Sequence, residues 1–166
     1  MHDELTAVDI KKMEQEVEYR RLQLRPQLLE DVKTAREFGD LSENFEYKAA
    51  KKFKNENESR IRYLEKMIKT AQIVEDEASS EEVGLNDRVR VYMEDEDCEE
   101  EYKIVTTIRS NALKNMISIE SPLGKALLGH KKDDRVFVQV KEKVGYYVKI
   151  LEIMKSDDES EAINKF

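Results

Sequence analysis

Residues 38–47 read Phe38-Gly-Asp-Leu-Ser-Glu-Asn-Phe-Glu-Tyr47, and this stretch decides the fold. A charged, helix-periodic run leads into it and another leads out. Gly39 can take the positive φ at which helices end. Asp40 follows at once as a capping residue for a new helix. The stretch therefore predicts the turn of an antiparallel helical hairpin, with the carboxylates of Asp40 and Glu43 at its tip.

On the N-terminal side, residues 6–37 are predicted to form the first arm. Thr6 is a capping candidate with Asp9 three residues on. Met13, Val17, Leu24, Leu28, Val32 and Ala35 fall on one helix face. Pro26 lies inside that pattern and should kink the helix, at a cost of about 3 kcal/mol in an ideal interior. On the C-terminal side, Leu41 to Ile73 is predicted as the second arm. Tyr47, Ala50, Lys54, Asn57, Ile61, Leu64, Ile68 and Ala71 form a heptad seam, with Lys54 and Asn57 as polar positions that help fix register. Each arm would run roughly 45–50 Å at 1.5 Å per residue.

Composition agrees with an exposed helix pair joined to a small packed domain. Only 39% of the 166 residues are hydrophobic, and 40% are charged. The net charge of −8 argues against free duplex DNA as the primary partner. Cys98 is the only cysteine, so neither an internal disulfide nor a cysteine zinc site can form. No apolar run is long enough to cross a membrane, and the N-terminus lacks signal-peptide character, so a cytoplasmic protein is expected.

After the acidic stretch 75–84 the period changes to two. Strands are predicted at Arg88–Met93, Tyr102–Ile108, Met116–Glu120, Arg135–Val140 and Tyr146–Met154. A short helix at Pro122–Leu128 opens on Ser121 and should stop at Gly129. The run 94–101, almost wholly acidic, reads as a solvated hairpin loop. The fold class is α+β: an antiparallel coiled coil over 1–76 with its tip at 39–47, a linker over 77–84, a small globular domain over 85–156 and a frayed tail over 157–166.

Two blocks at this separation resemble the Gre transcript-cleavage factors of bacterial RNA polymerase, most closely the GreA type. One is Ala35-Arg-Glu-Phe-Gly-Asp-Leu-Ser-Glu-Asn-Phe-Glu-Tyr-Lys-Ala-Ala50. The other is Ile117-Ser-Ile-Glu-Ser-Pro-Leu-Gly-Lys-Ala-Leu-Leu-Gly129. Arg25-Pro26 also fits the family's kinked first helix. The resemblance implies an FKBP-like second domain that docks beside the polymerase secondary channel. It implies a coiled coil that carries Asp40 and Glu43 to the active site, where they help hold Mg²⁺ while the polymerase hydrolyses the 3′ end of backtracked RNA. It implies an accessory factor, not a free-standing enzyme, with no stably bound cofactor.

Arg36, Lys51 and Lys52 are the candidates for RNA contact, with Ser42, Asn44 and Tyr47 supporting the tip. Ser121, Pro122 and Leu123 are the docking candidates. Bacterial RNA polymerase and the nascent RNA 3′ end are the expected partners, and a monomer is expected.

Structural readings stand beside these. Asp40-Leu-Ser-Glu43 fits a capping box in which Asp replaces Ser or Thr. The basic residues after the tip also fit a solvated helix face. Pairs at i,i+4 such as Glu56–Arg60, Glu58–Arg62, Glu65–Lys69 and Lys52–Glu56 would lace that face. Phe45 stands where the family more often has a small residue; an aromatic there could stack on a base or nucleotide or cover the helix turn, and the second reading is preferred. In the second domain Asp133-Asp134 stands where Gly-Asp is usual, and Lys141-Glu-Lys-Val-Gly145 replaces a Pro-Gly turn. A secondary-channel regulator without cleavage activity, and an unrelated coiled-coil scaffold, are the alternative functions.

Overall fold

The computed structural model describes residues 3–39 and 44–165, which divide into two compact units: Ile10–Ala71, and Asp3–Asp9 with Gln72–Lys165.

The helical unit holds most of α1 (Ala7–Tyr19), then a π-helical turn (Arg20–Leu24), α2 (Arg25–Arg36) and α3 (Phe45–Thr70). The capping box at the start of α1 forms as expected: the Thr6 amide donates to Asp9 Oδ2 (3.0 Å) and the Asp9 amide donates to Thr6 Oγ1 (3.2 Å). Pro26 explains the π turn. A proline has no N–H, and its ring crowds the carbonyl four residues back, here Leu22. The chain widens by one residue just before it, and the Arg25 amide donates to the Arg20 carbonyl.

The arms are antiparallel, since Glu16 meets Arg60 and Arg25 meets Glu58. Met13, Val17, Ile61 and Leu64 bury the apolar seam at one end, and Val32 and Ala35 continue it along α2. The middle is polar. Asn57 donates to the Arg20 carbonyl (3.3 Å) and accepts from Arg20 Nη1 (3.0 Å), so a seam residue engages the backbone of the π turn. That pairing sets one register, as expected for Asn57. Lys54, the other polar seam position, is half-buried.

The charges on α3 mostly reach across the hairpin and not along the helix. Lys52–Glu56 forms at 4.0 Å, but Glu58, Arg60 and Glu65 pair with Arg25, Glu16 and Arg21. Burial alone would raise the Glu16 pKa, yet Arg60 and Arg20 outweigh it and hold the carboxyl below its ordinary value.

The second unit has a two-stranded parallel pair, β1 (Glu4–Leu5) with β2 (Gln72–Ile73), and a five-stranded sheet. The sheet order is β5 (Met116–Ser118), β4 (Cys98–Val105), β3 (Arg88–Met93), β7 (Val144–Met154), β6 (Arg135–Lys141). All neighbours are antiparallel except β4–β5. Alternate residues Val89, Val91, Met93, Val136, Val138, Val148 and Ile150 form the core, with Leu123 and Leu127 of the short helix α4 (Pro122–Leu127) packed in. This is the α+β class expected, with a mixed sheet and one short helix.

Several details differ from the sequence expectations, beginning with Gln72–Ile73, expected at the end of the second arm but here strand β2 beyond the end of α3 at Thr70. The strand expected at 102–108 is Cys98–Val105, followed by a 3₁₀ turn at Thr107–Arg109. The acidic run is therefore only partly loop, and Glu99, Glu100 and Glu101 lie in β4. Cross-strand arginines make this tolerable: Arg90 pairs with Glu99 and Glu152, Arg88 with Glu101, and Arg135 with Glu94.

The stretch 77–84, expected as a linker, ends inside this unit. Val83 is fully buried and its backbone bonds to Gly129 and His130. The stretch 157–166, expected to fray, is tied down as far as Asn164, whose amide donates to the Ile108 carbonyl (2.7 Å). The reason is charge. Lys103 and Arg109 are buried in the domain, and Glu159 and Glu161 supply their counter-ions.

Candidate functional site

The hairpin tip is built by the two ends it joins. Helix α2 ends at Arg36, and Gly39 takes φ +119°, a conformation that favours glycine. Asp40, Leu41, Ser42 and Glu43 lie outside the described residues. The chain is described again at Asn44, in extended conformation, as the N-cap of α3. Its Oδ1 accepts from the Tyr47 amide (3.0 Å), and its Nδ2 donates to the Ala35 carbonyl at the end of α2 (2.7 Å).

One side chain thus satisfies an orphan donor of one helix and reinforces the last turn of the other. This corrects the expected helix start. Helix α3 begins at Phe45 and not near Leu41, because Asn44 can bond to both arms at once. Asn44 thus caps α3 and ties it to the end of α2.

Tyr47 begins the seam, half-buried. The Arg36 guanidinium lies 5.5 Å from the centre of its ring and draws the hydroxyl pKa below its ordinary value. Arg36 is therefore engaged in holding the tip. Lys48, Lys51 and Lys52 are exposed along one side of α3 and line a shallow groove of about 660 Å³ with Asn55, Glu56 and Ser59. Lys52 shares Glu56, whereas Lys51 has no ion-pair partner among the described residues. Phe45 does not cover the helix turn: it is 78% exposed, with Lys48 Nζ 5.6 Å from its ring centre.

In the second unit, Ser121 caps α4. Its hydroxyl accepts from the Gly124 amide (3.1 Å) and donates to the Ser118 carbonyl (2.6 Å). Gly124 is required there, because a Cβ would run into the Ser118 carbonyl. Of the docking candidates, Pro122 faces outward, whereas Leu123 is packed into the core and presents almost no side chain. Lys125, one turn along α4, joins Pro122 on the outer face.

Known proteins match this chain along most of its length. Residues 4–73 match the family described as transcription elongation factor, N-terminal, and residues 78–155 match transcription elongation factor GreA/GreB, C-terminal. The chain belongs to the GreA/GreB family. It is 41% identical over 154 residues to the transcription elongation factor GreA of Lachnoclostridium phytofermentans, covering 92% of this chain and 96% of that one. It is 43% identical to GreA of Thermoanaerobacter pseudethanolicus, over 91% and 96% of the two chains. It is 42% identical to GreA of Bacillus subtilis, over 81% and 86%.

Within this GreA/GreB chain, the unusual second-domain residues fall at demanding backbone positions. Asp133 takes φ 73°, and Lys143 in the β6–β7 turn takes φ 57°. Both are left-handed conformations, and a residue with a Cβ is strained there by roughly 1–2 kcal/mol.

The sequence reading also missed a buried polar cluster. Arg109 is fully buried and donates to Asp9 (2.7 Å), Asn86 (2.9 Å), Glu161 (3.1 Å) and Glu159 (3.3 Å). Thr106 donates to Asp9 as well (2.6 Å). The one signal available was Asp9 in its capping box, which explains half of what that carboxylate does. Among the described residues no group of three or more His, Cys, Asp or Glu side chains could hold a metal ion, and no helix is long and apolar enough to cross a membrane.

Proposed function

We propose that this chain binds bacterial RNA polymerase, inserts the hairpin into its secondary channel and stimulates hydrolysis of backtracked RNA. The observation that carries the reading is the N-cap of α3. Because Asn44 fills it, the start of α3 needs no cap from Asp40 or Glu43. Family membership supports a role for the two acids at the tip. Their chemistry suits Mg²⁺, a hard cation that takes one or two carboxylates from a protein and keeps other positions for water and phosphate.

When bound, the metal supplies charge neutralisation and an acidified water. The chain's own contribution is to present two oxygen ligands on a frame held by Asn44, Tyr47 and Arg36. Lys51 and Lys52 offer positive charge to RNA phosphate. Pro122 and Lys125 on α4 offer the outward surface for docking. The chain is in this reading an accessory that completes a site on the polymerase, working as a monomer with no cofactor of its own.

The test uses stalled, backtracked elongation complexes. Wild-type chain is expected to accelerate cleavage, and Asp40→Ala and Glu43→Ala are each expected to remove most of the acceleration while still binding polymerase. A wild-type chain that binds and alters transcription without cleavage would establish the regulator reading instead.

A further inference from the structure

Phe45 is the first residue of α3, directly after the doubly bonded Asn44, so its backbone is well anchored. Its ring is nonetheless 78% exposed. Lys48 Nζ lies 5.6 Å from the ring centre, and the exposed Lys51 and Lys52 follow within a turn. The whole chain carries a net charge of −8, so this cationic run is a local exception that complements a polyanion. An exposed ring beside cations is the arrangement by which proteins hold single-stranded nucleic acid: the ring stacks a base and the ammonium groups meet phosphate.

We infer that Phe45 is a stacking platform for a nucleobase near the 3′ end of the nascent RNA, with Lys48 at the neighbouring phosphate. The inference rests on the function proposed above and assigns a contact to one base. Phe45 is two residues from Glu43, at most about 7 Å of extended chain. The base it meets is therefore one beside the phosphodiester to be cut. Stacking tolerates any base but needs one, and a larger ring stacks better.

The experiment uses backtracked complexes whose unpaired RNA nucleotide is a purine, a pyrimidine or abasic, and a parallel set carrying photoreactive 4-thiouridine there. The thio-base is expected to cross-link to the peptide containing Phe45. Removing the base is expected to raise the half-saturating concentration of the chain roughly five- to tenfold, the low end for stacking on an aromatic. Phe45→Ala should show the same rise on normal RNA and no further effect of the abasic site. Phe45→Trp should restore discrimination. Phe45→Leu keeps an apolar side chain without a π face and should behave as Phe45→Ala.

Full activity and unchanged base discrimination in Phe45→Leu would overturn the inference and place the ring against an apolar wall of the polymerase. So would a cross-link that maps elsewhere. A cross-link at Phe45 without any stimulated cleavage would leave stacking intact and remove the hydrolysis reading, so the two fail separately.

Discussion

Replacing Asn44 with alanine should loosen the hairpin tip without touching its acids. The side chain makes two hydrogen bonds, one to the Tyr47 amide at 3.0 Å and one to the Ala35 carbonyl at 2.7 Å. Loss of a helix cap costs about 1 kcal/mol. A second hydrogen bond adds about 1 kcal/mol at a half-buried site. The sum, about 2 kcal/mol, corresponds to roughly 30-fold in a local opening equilibrium.

Amide hydrogen exchange reads this directly. Protection of the Tyr47 and Lys48 amides should fall by that factor, while Ile61 and Leu64 in the seam stay as they are. Asn44→Asp keeps the acceptor and loses the donor, so it should retain cap protection and lose only the tie to α2. Unchanged protection of Tyr47 in Asn44→Ala would refute the reasoning, because the cap would then come from elsewhere.

Other outcomes follow from the second unit. Asp9→Ala removes the acceptor of Arg109, Thr106 and the Thr6 amide, and should cost about 3–5 kcal/mol in urea unfolding. A loss under about 1 kcal/mol would mean the cluster relaxes around water. For Glu161, burial raises the carboxyl pKa, but Lys103 and Arg109 outweigh it and hold it below the ordinary 4.5.

Its contribution is therefore complete above the ordinary carboxylate pKa and fades as pH falls through the lowered folded value. The stability gap between wild type and Glu161→Gln, from urea midpoints, should be constant from about pH 8 to 5 and shrink below about pH 4. A gap that does not change with pH would contradict the assignment. Lys143→Gly relieves a left-handed residue at φ 57° and should stabilise the chain by about 0.5–1 kcal/mol, net of glycine's extra unfolded-state freedom. A loss of stability would show that the turn is not strained.

The helical seam is legible in the sequence because heptad spacing is local. Tyr47, Ala50, Lys54, Asn57, Ile61, Leu64, Ile68 and Ala71 are all at least half-buried, as their spacing predicts. The helix start is not legible. Asp40, Ser42 and Asn44 are all good caps within five residues, and only the position of the Ala35 carbonyl selects Asn44. Pro26 announces a disturbance but not its form, since a kink and a π turn both answer a missing donor.

The C-terminal acids read as solvent-exposed because their partners, Lys103 and Arg109, are some fifty residues away. A cation in a strand or turn does not announce that it is buried. Alternation in β4 is likewise obscured, because consecutive glutamates carry no apolar period until the arginines opposite them are known.

The most direct test of the central claim is RNA cleavage in backtracked bacterial elongation complexes, measured with wild type, Asp40→Ala and Glu43→Ala at saturating protein. The account predicts strong stimulation by wild type and near-basal cleavage with either variant, at unchanged polymerase affinity. Full stimulation by the double variant Asp40→Ala/Glu43→Ala would contradict it.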